Sequence, residues 1–225
     1  MVRPATSPAR RTLPLAAIAV TIGLGACATG TRAELRPDLA TTGNEAVDAV
    51  LSRLAELPTA VYAADYDVHL PFNGTDIEVT TTQAEPNRRS LTIGDIRFIV
   101  EPGQTSGRTC DLSNGECEPR IVPQRVSDAQ MTNDFFGTSL VARLRRDAGL
   151  AIRAPEASTE DLDGAPVTCV TLAFSPPASA PNSTPTSTYC VLDNGVLTRL
   201  IASDIEVTLT DYSDEADERQ FEIGP

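Results

Sequence analysis

The residue types that carry out chemistry are scarce in this chain of 225 residues. His69 is the only histidine, and it falls on the polar side of an alternating stretch, where an imidazole is more often incidental than catalytic. No G-x-S-x-G, H-E-x-x-H or glycine-rich phosphate loop occurs. The 31 Asp and Glu residues leave room for a catalytic carboxylate pair, but no spacing nominates one. Asp65 and Asp67 share one strand face and most simply point at water. The acidic run DYSDEADE, 211–218, lacks the glycine and the terminal glutamate of an EF-hand loop and reads as a solvated segment. The expectation is a protein that is no enzyme and needs no cofactor or metal.

Sulfur is the exception. There are five cysteines: Cys27, Cys110, Cys117, Cys169 and Cys190. Zinc would normally show C-x2-C pairs, and none is present. Leu24-Gly25-Ala26-Cys27 resembles the lipobox of bacterial lipoproteins, in which the cysteine thiol is diacylglycerylated and cleavage leaves it as the new N-terminus. What precedes it fits an export signal. Arg3, Arg10 and Arg11 form a positive start with no acid, and the apolar run Leu13–Leu24 follows. Twelve helical residues reach only about 18 Å, against roughly 30 Å for a bilayer core, so this is a signal segment and not a span. Arg10-Arg11 leaves the export route open between the general and twin-arginine systems. With Cys27 lipidated, two or three acyl chains would hold the protein stably on the extracytoplasmic side of the membrane. Four cysteines then remain, an even set for an oxidising compartment.

The cationic residues are 18 arginines with no lysine, which suits codon bias in a GC-rich genome. Removing residues 1–26 removes three arginines and no acids, so the net charge moves from −13 to −16. So acidic a domain would not bind nucleic acid through phosphates, and an anionic bilayer would repel it. The length suits one domain: a signal peptide over 1–26, a lipidated start and tether over 27–43, and a folded domain over 44–225. A monomer is expected.

Several elements must position whatever the domain binds. Thr42 with Glu45 reads as a capping box ahead of a helix with Val47, Val50, Leu51, Leu54 and Leu57 on one face, stopped by Pro58. Tyr62, Ala64, Tyr66, Val68 and Leu70 alternate with Asp65, Asp67 and His69 along a strand. Asn73-Gly74 turns the chain into a second strand through Ile77, Val79 and Thr81. Gly94-Asp95 suits a type II′ hairpin between 91–93 and 96–100. Cys110 and Cys117 bracket a hairpin tipped by Asn114-Gly115. A second helix is expected after Ser127, with Phe136, Leu140 and Leu144 inward, Arg143, Arg145 and Arg146 near its C-terminal end, and Gly149 as its cap. Strands over 167–174 and 187–192 flank a Pro/Ser-rich loop. Asn194-Gly195 predicts a type I′ hairpin into 196–201, and a last strand runs through Ile205, Val207 and Leu209. Four cysteines allow three pairings. The hairpin geometry favours Cys110–Cys117 and Cys169–Cys190, since facing positions on adjacent strands approach to disulfide distance. Short connections make the strands antiparallel neighbours, and helices confined to two places make the fold α+β: a curved sheet with helices on its concave face.

With this layout the chain resembles the LolA/LolB-like superfamily of envelope proteins, and within it the actinobacterial lipoproteins. The stretches VYAADYDVHL and LTIGDIRFIV, the Cys110/Cys117 pair and the ending from TYCVLDNG to FEI carry the resemblance. It implies an incomplete antiparallel β-barrel, a half-barrel covered by helices, with an apolar cavity between. It further implies a hydrophobic ligand, such as a lipid, a glycolipid or a lipoprotein acyl group, or else an envelope-protein partner for a sensor or interaction module. The aromatics that could line such a cavity are Tyr62, Tyr66, Phe98, Phe135 and Phe136, with Leu140 beside them. For each alone, filling the core is the simpler role. Few aromatics make the cavity mainly aliphatic, which suits acyl chains. An interior filled by the protein's own side chains would rule out an acyl chain held there, so the space beneath the helices is the deciding observation.

Overall fold

The computed structural model describes residues 41–85, 88–101 and 107–222. The expected signal segment, Cys27 and most of the tether lie outside the described residues. Helix α1 (Glu45–Leu54) buries Val47, Val50, Leu51 and Leu54 on one stripe, as their spacing requires. Its cap is Asn44 and not Thr42. The Asn44 side chain accepts from the Ala46 and Val47 amides. Thr42 instead gives its amide and hydroxyl to the Asp48 carboxylate at 2.7 and 2.8 Å.

Eleven strands follow: β1 (Tyr62–Leu70), β2 (Thr75–Ala84), β3 (Arg88–Ile93), β4 (Ile96–Val100), β5 (Arg108–Asp111), β6 (Glu116–Glu118), β7 (Glu156–Leu162), β8 (Ala165–Ala173), β9 (Thr186–Leu192), β10 (Leu197–Ile201) and β11 (Glu206–Ser213). They form one open, curved antiparallel sheet in the order β6-β5-β4-β3-β2-β1-β11-β10-β9-β8-β7. The first strand therefore pairs with the last at mid-sheet, Val68 opposite Val207. A bulge between Asp65 and Tyr66 shifts their register, which adds local twist. Because the sheet stays open, its concave side has to be covered, and helices supply that cover.

The two C-terminal hairpins fix the faces. Val170, Leu172, Tyr189 and Leu200 are fully buried beneath the helices. Cys169 and Cys190 are paired neighbours on β8 and β9, joined in a disulfide on the opposite face, where Arg199 reaches both Glu160 and the Cys190 sulfur. Cys110 and Cys117 are likewise facing residues of β5 and β6, linked at a sequence separation of 7.

Several local expectations change. The helix expected after Ser127 is two helices, α2 (Pro123–Ala129) and α3 (Leu140–Leu150), separated by an irregular stretch. Pro123 explains the earlier start, since proline is preorganised for the first helical turn. Gly149 lies inside α3, which ends at Leu150 with an extended Ala151. Arg143, Arg145 and Arg146 precede the last turn, and Arg143 serves an ion pair instead. At 193–196 only Gly195 has positive φ, +84°, so the turn is not type I′, which needs positive φ at both central residues. A Cβ on Gly195 would sit 2.4 Å from the Arg53 carbonyl oxygen, so glycine here lets the turn meet the end of α1. Strand β7 carries no local signal, because its residues are nearly all exposed and show no apolar alternation. The acidic run is also more ordered than a solvated segment. Asp211–Ser213 extend β11, Asp217 caps the turn Glu218–Phe221, and Phe221 packs on Ala84, Ile99 and Cys110 across the convex face.

Candidate functional site

The concave face between β1 and β4 is where a ligand of a half-barrel would lie. Tyr62, Tyr66, Phe98, Phe136 and Leu140 all belong to one buried cluster there. Strand alternation places the two tyrosines on the inner side of β1, and Leu91 opposite Phe98 brings that ring to the same side. Phe136 comes from the other wall. Its ring stacks on Tyr66 at 4.4 Å between centroids and meets Phe135 edge-on at 5.1 Å, a geometry that suits the ring quadrupoles.

The backbone that presents Phe136 is irregular. Helix α2 ends at Gln130 in the left-handed region, φ 57°. Phe135–Ser139 form a wide, π-type turn interrupted at Gly137, with φ −118° and ψ −121°. Asp134 holds the loop together by accepting from the Thr138 and Ser139 hydroxyls at 2.5 and 2.7 Å. Those bonds keep its carboxyl below the ordinary range against the opposing effect of burial. A Cβ on Gly137 would stand 3.2 Å from the Arg89 guanidinium, so this turn and β3 approach closely.

Under the turn lies a cavity of about 30 Å³, lined by Tyr62, Arg89, Leu91, Phe98 and Phe136 among others. That is room for about one water. An organic ligand needs several hundred cubic ångströms. Burial pushes the Tyr66 hydroxyl well above its ordinary pKa, and it does the same, less strongly, to Tyr62 against an opposing bond with Thr81. Both stay neutral in any physiological range, and neither is poised as a base.

A polar cluster unseen in the sequence sits beside α3. Tyr189 donates to Asp147, Arg143 Nε donates to the Tyr189 oxygen at 3.2 Å, and Arg143 grips Asp204 with two bonds at 2.9 and 2.5 Å. It ties α3 to β9 and to the turn before β11. The only sequence trace is Arg143 and Asp147 four apart on a helix.

The convex face is acidic. Asp67, Asp76, Glu78 and Glu206 with His69 line an open groove of about 630 Å³, and His69 Nδ1 lies 2.7 Å from Asp76. Asp65 accepts from Thr80 nearby. Among the described residues the one grouping with metal-ligand spacing is Glu160 with Cys169 and Cys190, whose sulfurs the disulfide already uses. No helix among the described residues is long and apolar enough to cross a membrane.

No family model matches this chain. No curated protein is a detectable relative either. Solved structures of similar outline include MucB, at a TM-score of 0.48 and 15% identity, covering 81% of this chain and 64% of that one. The lipoprotein LppX of Mycobacterium tuberculosis has a TM-score of 0.38 and 15% identity over 76% of this chain and 97% of its own. LprF of Mycobacterium bovis has a TM-score of 0.29 and 12% identity over 73% and 92%. The chain thus spans less than two thirds of MucB. Likeness at this level carries no functional inference.

Proposed function

We propose that this chain is an envelope lipoprotein of actinobacterial type, anchored by lipid on Cys27, whose half-barrel works by binding and not by catalysis. Its ligand is an acyl chain, of a lipid, a glycolipid or a lipoprotein, that enters where Phe136 now sits. One observation carries this reading. Phe136 stacks on Tyr66 from an irregular turn and the interior beneath it is otherwise filled, so a ligand must displace the 131–139 segment, which pairs with no strand. Segments with broken backbone regularity open at lower cost than core strands.

Binding of a fluorescent fatty acid tests the exchange. Phe136→Ala should bind the probe more tightly than the native chain, and Phe136→Trp more weakly. Equal and negligible binding by all three would overturn the acyl-chain reading.

A second reading is a protein-interaction or sensor module on the same scaffold, with the interior permanently filled. The cavity of about 30 Å³ favours it. Cross-linking in intact envelopes should then trap one dominant protein partner, while native mass spectrometry of the extracted protein finds no stoichiometric lipid. A stoichiometric lipid with no partner would exclude it.

A further inference from the structure

The exposed large hydrophobic side chains of the described residues lie toward one end of the domain, among exposed acids that include Asp76, Asp95, Asp204 and Glu206; that end is called the apolar end below. Five large hydrophobic side chains are exposed among the described residues: Phe72 (67%), Leu150 (63%), Ile152 (49%), Ile201 (43%) and Leu112 (39%). Single exposed hydrophobics are ordinary on any protein. Their placement here is not, because the strand registers put all five at the same end of the sheet.

The registers run as follows across the sheet. Phe72 tips the turn after Leu70, which pairs with Thr75. His69 pairs with Glu206, so the turn between β10 and β11 lies at that end. Ile201, the last residue of β10, pairs with Thr188 and Glu206 beside it. Thr188 pairs with Thr171, which puts Ala173 and the end of β8 there too. Ile152 donates its amide to the Ala173 carbonyl at 2.9 Å, and Leu150 closes α3 two residues before. On the far side, Leu112 donates to the Asp95 carbonyl at 2.8 Å, in the turn of the β3–β4 hairpin that points the same way. Among the described residues the opposite end carries Pro58 and Thr59, the Asp193-Asn194 turn and the Asp163-Gly164 turn, without an exposed large hydrophobic.

The chain also enters at the apolar end. The C-terminal end of α1 meets Gly195 at the opposite end, and the helix runs away from it. Helix α1 packs on α3, and α3 is pinned near the apolar end through Asp204. Thirteen residues, 28–40, separate Cys27 from the first described residue, a reach of at most about 45 Å.

We propose that the apolar end, led by Phe72, Leu150 and Ile152, docks on the uncharged part of the lipid surface to which the chain is tethered. The anchor confines the domain near the bilayer, and the exposed side chains then enter the interfacial layer, a second hydrophobic signal added to the acyl chains. The strong negative charge of the domain sets the composition dependence: zwitterionic lipid is favoured and anionic lipid opposes docking. This inference rests on the lipid anchor at Cys27 and not on what the interior holds.

The chain contains no tryptophan, so one introduced indole reports alone. Lipidated protein carrying Phe72→Trp or Thr59→Trp would be reconstituted into phosphatidylcholine vesicles containing brominated chains. The Phe72→Trp indole should shift to the blue and be quenched several-fold more than the Thr59→Trp indole at the opposite end. Replacing part of the lipid by phosphatidylglycerol should reduce the difference, and adding Leu150→Asp and Ile152→Asp should abolish it. Equal quenching at both positions, or none at either, would overturn the proposal. Sedimentation with vesicles reads the anchor separately. If the chain fails to sediment, the reading of Cys27 fails, and the same two indoles in Cys27→Ala protein at raised lipid concentration still decide which end meets lipid.

Discussion

The Tyr189 hydroxyl donates to the Asp147 carboxylate across 42 positions of sequence, joining the helix cover to the sheet in a region where Asp147 is only 7% exposed. Burial first, then this bond, raises the Tyr189 pKa, so the hydroxyl keeps its proton and remains the donor. Removing it leaves a buried carboxylate short of a partner. Tyr189→Phe should lose about 1–2 kcal/mol in urea denaturation. Replacing Asp147 by leucine in the same chain should recover part of that loss, since the buried carboxylate is removed with its donor while Arg143 Nε still lacks its acceptor. A double variant less stable than the sum of the singles would contradict this account.

Acid should act through Asp204. Hydrogen bonds from Arg143, with the partial burial opposing, hold its carboxyl below the ordinary range. A carboxylate whose native pKa is depressed stabilises the fold above its unfolded value of about 3.9, and that contribution disappears as pH falls through the native value. Asp204→Asn should therefore be less stable than the native chain near neutrality and should lose less stability on acidification below about pH 4. Thermal melts at several pH values would show the two curves converging in acid.

The N-cap distinguishes two neighbouring polar residues. Asn44→Ala should cost about 1 kcal/mol, because the Asn44 side chain satisfies two amides of the first turn. Thr42→Ala should cost less, since its partner Asp48 is an exposed surface acid. Equal losses would return the cap to the Thr42–Glu45 pattern.

The two disulfides close loops of different length, with separations of 21 for Cys169–Cys190 and 7 for Cys110–Cys117. Loop entropy alone makes the former worth about 3 kcal/mol and the latter about 2 kcal/mol. Cys169 and Cys190 are also fully buried, so the Cys169→Ala/Cys190→Ala pair should be the more destabilised of the two double variants. Cys110–Cys117 should be reduced first under mild thiol, which peptide mapping with a mass label would read.

Much of the fold is local chemistry and stands in the sequence. Alternation from Tyr62 to Leu70 defines β1 and its inward face, because side chains on a strand change sides at every residue. Asn73-Gly74, Gly94-Asp95 and Asn114-Gly115 mark turns because glycine alone tolerates positive φ freely, and the facing cysteines follow from those hairpins. The four inner aromatics are likewise visible as a set. Other features depend on groups distant in the chain. No local signal pairs β1 with β11, because that register is chosen by which apolar faces bury each other. Strand β7 exists because β8 offers it a backbone edge, and the acidic run folds because Phe221 finds Ala84, Ile99 and Cys110. The sequence by itself determined the antiparallel strands and their inward residues. Only the tertiary structure decided that Phe136 occupies the space those residues enclose, and that five exposed apolar side chains gather at one end. Both depend on where turns far apart in sequence come to lie, which close packing and register settle jointly.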